Sequence, residues 1–354
     1  MRFADVLEIR NGRNQRQVEC PNGKYPIYGS GGVMGYANSY ICEANTVVIG
    51  RKGNINNPIF VEEPFWNVDT AFGLIPHADV LIPKYLFYFC ENYNFEKLNT
   101  TVTIPSLTKA NLLQVEIDVP EIGIQKSRVG ILDKIEHSCR LLQQEVLRLD
   151  QLVKSRFVEM FIGKGYEEKS VRDVLDTAFW LMPATPKFVE NGSIPYITSK
   201  NIKNRSIDFD NVKYITTEAY ESISSNRPTQ IGDILISMIG TLGQTAVIKD
   251  ARRFYGQNLY LLRLNASVIN TVFFCEFFNS DRAQHKLQAK RNQSTQAYLK
   301  ANHVEDLLLP LPPMEIQEQF AAFVAEVDKS KLAVKQSLEK LETLKKSLMQ
   351  EYFG

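Results

Sequence analysis

Lys109-Ala110-Asn111, a short apolar run from Val115 to Pro120, Ile124-Gln125 and a helical stretch ending near Gly163 form a unit that the chain writes twice. The second writing runs from Lys300 to the C-terminal Gly354. Lys109, Ala110 and Asn111 return 191 positions later as Lys300, Ala301 and Asn302, and one inserted residue then moves the register to 192. In that register Pro120, Ile124, Gln125, Leu149, Leu152, Lys154, Ser155, Glu159 and Phe161 recur as Pro312, Ile316, Gln317, Leu341, Leu344, Lys346, Ser347, Glu351 and Phe353. Identities in one order and at one offset mark an internal duplication.

Within each copy the apolar run ends in proline and a heptad-patterned helix follows. In the first, Leu132, Ile135, Cys139, Leu142, Val146, Leu149 and Val153 advance by three and four, which puts them on one helical seam. The second fills the equivalent seam with Val324, Val327, Lys331, Val334, Leu338, Leu341, Lys345 and Leu348. Two lysines interrupt it, so the seam is not wholly dry. From Ile124 to Phe161 such a helix spans roughly 57 Å at about 1.5 Å per residue, far beyond the usual helix of about 11 to 12 residues. A narrow apolar seam needs a partner, and the second copy supplies one. Each helix follows one large globular segment, so antiparallel pairing predicts a rod with a head at either end; packing of each helix on its own neighbouring head is the plainer alternative.

A length of 354 residues accommodates two domains with cores of their own. Hydrophobic content of 44% against 23% charge predicts a soluble globular protein, and no apolar run reaches transmembrane length. The N-terminus lacks the apolar core of a signal peptide, so a cytoplasmic location is expected. Cys20, Cys42, Cys90, Cys139 and Cys275 are odd in number and scattered, without a CxxC pair, which points to neither a disulfide framework nor a zinc site. The histidines, His77, His137, His285 and His303, are as dispersed. With 41 basic and 40 acidic residues the net charge is +1, which argues against strong nucleic-acid binding by the chain alone but leaves room for local basic loops aided by a partner.

Residues 1 to about 108 read as a β-rich head. Tyr25-Pro26-Ile27-Tyr28 runs into the glycine-rich Gly29-Ser30-Gly31-Gly32, and the strand Thr46 to Ile49 ends in Gly50-Arg51-Lys52-Gly53-Asn54. A strand followed by a basic, glycine-flanked loop suits a phosphate or a base edge, or is a plain hairpin with two solvated cations. Phe65 to Phe72 alternates apolar and polar side chains, predicting a half-buried strand whose polar face carries Asn67, Asp69 or Thr70. A helix is expected over Lys84 to Glu96, then a hydroxyl-rich loop, Asn99 to Ser106, containing Thr103. A second head, about 166 to 299, repeats the plan. Gly192 to Asn201 answers the first glycine-rich segment, and the strand Gly232 to Ser237 leads to Gly240-Thr241-Leu242-Gly243-Gln244, where the spacing of Gly50 and Gly53 returns at an offset of 190. Gly256-Gln257-Asn258-Leu259-Tyr260 answers Asn67 to Ala71, and Arg291 to Gln296 answers the loop at 99 to 106. The helical units keep their residues while the heads keep spacing and exchange loop tips, as two readers of different ligands would; drift after duplication predicts the same.

These features resemble the specificity (S) subunit of type I restriction-modification systems. The residues that carry the likeness are Tyr25 to Gly32, Val47 to Gly53, Ile194 to Ile197, Gly232 to Ile236 and the two Pro…Ile-Gln helical units, and it covers essentially the whole chain. The resemblance implies an α+β fold with a pseudo-two-fold internal repeat: target recognition domains at 1–123 and 164–313, each reading half of a bipartite DNA site, and conserved helices at 124–163 and 314–354. The helices would pair as an antiparallel coiled coil, set the gap between half-sites and dock two modification (M) subunits. Those partners would hold S-adenosylmethionine and methylate adenine, and added restriction (R) subunits would supply ATP- and Mg2+-dependent translocation and cleavage, with no cofactor on this chain itself.

The residues agree with that division of labour. No glycine-rich S-adenosylmethionine loop follows a strand, and Asn57-Pro58-Ile59-Phe60 lacks the second proline of the adenine-methylation motif. There is no P-loop, and Glu167-Glu168-Lys169 has no preceding acidic partner. The chain is therefore expected to be non-catalytic. The candidate DNA contacts are Tyr28, Ser30, Arg51, Lys52, Asn54, Asn67, Asp69, Thr70 and Thr103 in the first head, and Thr198, Lys200, Asn201, Thr241, Gln244, Gln257, Asn258, Arg291 and Gln293 in the second. Two rival classes stand beside this reading: a coiled-coil adaptor or decoy that never touches DNA, and a self-sufficient modification or cleavage enzyme, against which the missing catalytic motifs count.

Overall fold

The structure is a computed structural model that describes residues 1–99, 104–181, 186–203, 205–224, 228–240, 242–290 and 298–354. It divides into two compact units, Met1–Glu145 with Val334–Gly354, and Val146–Ala333. Two 40-residue helices, α4 (Ile122–Phe161) and α9 (Met314–Phe353), contribute to both. Unit one therefore holds the first head, the start of α4 and the end of α9; unit two holds the second head, the end of α4 and the start of α9. No described helix is long and apolar enough to cross a membrane.

The head of unit one begins with α1 (Phe3–Val6), and its described strands are β1 (Leu7–Asn11), β2 (Tyr25–Gly29), β3 (Gly32–Ala37), β4 (Thr46–Gly50), β5 (Ile59–Val61), β6 (Trp66–Asn67) and β7 (Ala71–Pro76). They form an antiparallel sheet in the order β1-β7-β4-β5 and a smaller sheet, β3-β2-β6, in which β2 pairs antiparallel to β3 and parallel to β6. The β-branched Thr46-Val47-Val48-Ile49 run of β4 is buried along its whole length, as a central strand covered on both faces must be. Helix α2 (Pro83–Asn92) starts with proline at its first turn, where a missing N–H costs nothing. It lays Tyr85, Leu86 and Phe89 against the large sheet, and α3 (Lys109–Leu112), capped by Thr108, leads into α4. Leu132 of α4 and Met349 of α9 close the same core.

Unit two contains β8 (Glu168–Ser170), β9 (Leu175–Leu181), β10 (Ile194–Ile197), β11 (Ile202–Lys203), β12 (Ser206–Ile207), β13 (Lys213–Ile215), α5 (Thr217–Ser224), β14 (Ile234–Ser237), β15 (Thr245–Val247), β16 (Tyr255–Gly256), β17 (Leu259–Leu264), α6 (Thr271–Phe278), α7 (Asp281–Ala289), α8 (Ala301–Glu305) and β18 (Leu308–Pro310). Its principal sheet, β9-β17-β14-β15, repeats the connectivity of β1-β7-β4-β5, and β13-β10-β16 repeats β3-β2-β6 down to the antiparallel and parallel pairings. The duplication therefore embraces the heads as well as the helices. The hairpin β11–β12 falls between the equivalents of β2 and β3, and α5 between those of β3 and β4; both enlarge the second head.

The two cores are closed alike. In unit one Phe353, near the end of α9, meets Tyr85 edge-on at 5.0 Å. In unit two Phe161, the last residue of α4, meets Phe273 edge-on at 4.7 Å. Of the expected seam, Leu132, Ile135, Val153, Val324 and Val327 are buried, whereas Leu142, Val146, Leu149, Val334, Leu338, Leu341 and Leu348 are half-buried. The interrupting lysines are paired: Lys331 with Asp150, and Lys345 with Glu91 at 3.1 Å.

One expectation fails here. Phe65 to Phe72 is not a single half-buried strand but β6, a turn and the start of β7, with Phe65 through Val68 all buried. Local alternation predicts one wet face; β6 instead lies against β2 and is covered by Phe65, Val48 and Val61.

Candidate nucleic-acid interface

In unit one, backbone hydrogen bonds gather four loops around the turn between β6 and β7. The Asn67 carbonyl accepts from Arg13 N–H at 2.8 Å, and the Thr70 carbonyl accepts from Arg51 N–H at 2.8 Å and Lys52 N–H at 3.3 Å. Val68 N–H donates to the Tyr28 carbonyl at 3.0 Å, joining the β2–β3 hairpin, and Gly53 N–H donates to Pro105 at 3.0 Å, joining the loop before α3. Two glycines permit this convergence. A Cβ on Gly12 would fall on the Val68 carbonyl, and one on Gly50 would meet the Asn54 carbonyl and Ser30.

The cluster presents Arg51, Lys52, Asn54, Asp69 and Thr70 to solvent and leaves Tyr28 and Ser30 half-exposed. Burial, then the charge of Glu63, raises the Tyr28 phenol above its ordinary value, so Tyr28 keeps its proton as a donor. Asn67 is withdrawn from the candidates. It is fully buried, and its Nδ2 donates to the Ala71 carbonyl at 3.2 Å inside the head. Its Oδ1 has no hydrogen-bond partner among the described residues. Thr103 lies outside the described residues.

Sequence reasoning missed the loop after β1. Asn11-Gly12-Arg13-Asn14-Gln15-Arg16-Gln17 is basic and amide-rich, follows a strand and ends beside the same turn, with Arg13, Asn14, Arg16 and Gln17 exposed. That composition directly after the apolar Val6-Leu7 and Ile9 is the signal that finds it. Among the described residues, Arg13, Arg16, Arg51 and Lys52 take part in no ion pair. Arg51 lies 5.7 Å over the Phe72 ring.

Unit two builds the corresponding cluster with different chemistry. Gln257 N–H donates to the Ile197 carbonyl at 2.9 Å, as Val68 does to Tyr28, and Met238 N–H donates to Asn258 at 3.2 Å, as Arg51 does to Thr70. Lys52 bridges Ser106, and Ile239 bridges Tyr298 in the same manner. These pairs correct the offset of 190. Gly50 answers Ser237, since each pairs with the first residue of the following strand, Ala71 or Leu259. Gly53 at φ 79° answers Gly240 at φ 81°. Arg51-Lys52 is therefore replaced by Met238-Ile239, not by Thr241-Leu242, and Met238 is buried.

Among the second-head candidates, Lys200 and Gln244 are exposed, and Thr198, Gln257 and Asn258 are half-exposed. Asn258 takes a left-handed backbone at φ 60° just before β17. The Gln257 Oε1 accepts from the Tyr196 hydroxyl. Asn201 is spent on the fold: its Oδ1 accepts from Thr198 N–H at 3.0 Å and its Nδ2 donates to the Asp208 carbonyl at 3.1 Å. It caps a turn and is corrected to a structural residue. Thr241, Arg291 and Gln293 lie outside the described residues.

Burial pushes the Cys42 and Cys275 thiols up to about 12, which leaves both protonated at neutral pH. Among the described residues no three His, Cys, Asp or Glu side chains are grouped to hold a metal ion. Exposed amides, hydroxyls and guanidinium groups on rigidly held loops can donate to and accept from base edges and phosphates.

Comparison with known proteins bears on this geometry. A specificity subunit described for the MjaX type I restriction enzyme of Methanocaldococcus jannaschii is 27% identical over 201 residues, 54% of this chain and 46% of that protein. The type I restriction enzyme specificity subunit S.HindORF215P of Haemophilus influenzae is 22% identical over 253 residues, 68% of this chain and 63% of that one. The chain thus spans between about half and three-fifths of the length of these curated relatives. The crystal structure of a type I restriction-modification S subunit from M. genitalium superposes with a TM-score of 0.63 at 14% identity, covering all of this chain and 95% of that one. A chain from a structural study of complex assembly and conformational transition in the type I system gives 0.61 at 15% identity, over 100% and 96%. At such identities the likeness establishes the fold, with its duplicated heads and long helices. The family described as the type I restriction modification DNA specificity domain matches residues 1–150 and 163–344, and the chain belongs to that family.

Proposed function

We propose that this chain is the DNA sequence-specificity subunit of a type I restriction-modification enzyme, with target recognition domains at 1–123 and 164–313 and spacer helices at 124–163 and 314–354. The observation that carries this reading is the pair of loop clusters, which share the backbone hydrogen bonds of Val68 and Gln257 and of Arg51 and Met238 but carry different side chains. A shared scaffold with exchanged tips is what two half-site readers require. Loop tips entering the major groove would contact base edges, each good bidentate pair discriminating by about 1–3 kcal/mol. Joining two short readers makes the second contact intramolecular, which raises specificity without new contacts.

The partner reading is carried by the helices. Leu152, Lys154, Ser155 and Glu159 of α4 are exposed, and so are their duplicates Leu344, Lys346, Ser347 and Glu351 of α9. A leucine kept at the surface in both copies, with 47% and 46% of its area exposed, is not needed for the core. Such twin surfaces suit two copies of one partner, the modification subunit. S-adenosylmethionine belongs on that partner, ATP and Mg2+ on restriction subunits where these are present, and the assembly works in the cytoplasm.

Methylated-base mapping of genomic DNA from a host expressing this chain with its neighbouring modification subunit tests the proposal. N6-methyladenine in a split motif, absent when this chain is deleted, is the expected result. A folded complex that deposits no new methylation overturns it in favour of the adaptor or decoy.

A further inference from the structure

The duplication preserves a buried glutamine whose bonds are the same in both units. Gln125 is fully buried near the start of α4. Its Oε1 accepts from Ile82 N–H at 2.9 Å, and its Nε2 donates to the carbonyls of Val80 at 2.9 Å and Pro120 at 2.7 Å. Gln317 is fully buried near the start of α9. Its Oε1 accepts from Asn270 N–H at 2.8 Å, and its Nε2 donates to Val268 at 3.2 Å and Pro312 at 2.9 Å.

Each amide thus ties three stretches of backbone. Ile82 and Asn270 are the N-cap residues of α2 and α6, the first helix after the principal sheet of each head. Val80 and Val268 belong to the loop just before those caps, and the prolines lie just ahead of the long helices. An amide has two N–H donors and an acceptor oxygen, and all are used here. The three directions are not collinear, so the head helix cannot turn about the start of the long helix without breaking at least one bond.

We propose that Gln125 and Gln317 are positioning residues that fix the angle at which each head leaves its long helix, and thereby the gap length accepted between half-sites. This rests on the specificity reading above. One extra base pair moves a half-site by about 3.4 Å and turns it by about 35°. A head held in one orientation rejects that displacement, because the effective concentration of the second contact is high only where geometry permits both. A loosened head spreads the same contacts over neighbouring gaps.

The test uses the complex with the modification subunit and duplexes carrying the mapped half-sites with the natural gap, or one or two base pairs more or fewer. Gln125→Met and Gln317→Met keep the side chain's length and remove its hydrogen bonds; Gln→Asn, shorter but still polar, serves where a methionine variant fails to fold. Val48→Ala and Leu261→Ala hollow the cores between the sheets and serve as destabilised controls that leave the glutamine bonds intact. The ratio of methylation at the natural gap to that at a gap one base pair longer should fall by about an order of magnitude in the glutamine variants, with both half-sites unchanged, and stay at the wild-type value in the controls. Glutamine variants that lose stability yet keep the wild-type gap profile overturn the inference alone. A wild-type complex that methylates no split motif overturns the specificity reading and this inference with it.

Discussion

Neutralising the basic cluster of the first head is the most direct probe of how the chain meets DNA. The perturbation is Arg13→Gln, Arg16→Gln, Arg51→Gln and Lys52→Gln together. These four side chains are exposed on loops held to one turn, and among the described residues none is in an ion pair. Among the described residues, removing them loses the Arg51 contact with the Phe72 ring and no ion pair. If each cation neutralises one phosphate, each contributes about −0.9 to the slope of log K against log salt. The quadruple variant should then bind with a slope about 3.6 less steep. Between 50 and 200 mM salt the wild-type complex should lose roughly 150-fold more affinity than the variant does.

The assay is fluorescence anisotropy of the complex with its modification subunit on a duplex bearing the mapped motif, titrated across that salt range. Lys329→Gln with Lys340→Gln, exposed on α9, serves as the charge control and should leave the slope near the wild-type value. Parallel slopes for wild type and the quadruple variant would refute the placement of phosphates at this cluster. A slope only about 1.8 less steep would mean that only one of the two loops, 12–17 or 50–54, reaches the backbone, and the paired double variants would say which.

Other expectations concern the framework. Phe320→Ala removes a fully buried ring that meets Phe161 at 5.2 Å and Phe157 at 5.7 Å, and should cost about 3–5 kcal/mol in denaturant unfolding. Asp173 accepts from Ser170 N–H at 3.0 Å and from its hydroxyl at 2.7 Å, which holds its carboxyl below the ordinary 3.8. A depressed folded value contributes stability that is present above the unfolded value and is lost as pH falls through the folded one. Asp173→Asn should therefore flatten the acid limb of the stability profile below about pH 4, and an unchanged limb would deny the cap a role. Leu152→Glu with Leu344→Glu should leave the melting temperature within a degree or two while abolishing co-purification of the modification subunit; retained co-purification would move the docking surface elsewhere.

The helices were legible because a narrow seam and nine repeated residues speak through local spacing alone. Phe161 and Phe353 were visible as a repeated pair, and the structure adds what each meets. The heads were harder to align. Tyr28 answers Ile197 at a separation of 169, but Gly50 answers Ser237 at 187, because β11, β12 and α5 intervene in the second head. Glycine spacing alone therefore aligned Gly50 with Gly240, when the left-handed turn belongs to Gly53 and Gly240. Asn67 breaks the pattern for another reason: alternation reports one wet face, while both residues of β6 are buried, in a core that Val48 and Val61 of other strands help to fill. The loop at 12–17 was passed over because its glycine sits within a hydrophilic run that resembles an ordinary turn.

Why the duplication kept its glutamines while the loop tips changed follows from what those amides touch. Every bond from Gln125 and Gln317 goes to a backbone N–H or carbonyl. Such a joint asks nothing of the head's side chains, and the two heads accordingly present Ile82 in one copy and Asn270 in the other at the same donor. It asks only that a loop and a helix N-cap arrive at the right place, which sheets of one topology ensure. A side-chain lock would have tied each head to its helix by sequence, so that a new head would need a compensating change in the joint. A backbone lock leaves the loop clusters free to diverge while the angle stays fixed. On the proposed reading, independence of the two half-sites and a fixed gap between them would both follow from the same three hydrogen bonds in each copy.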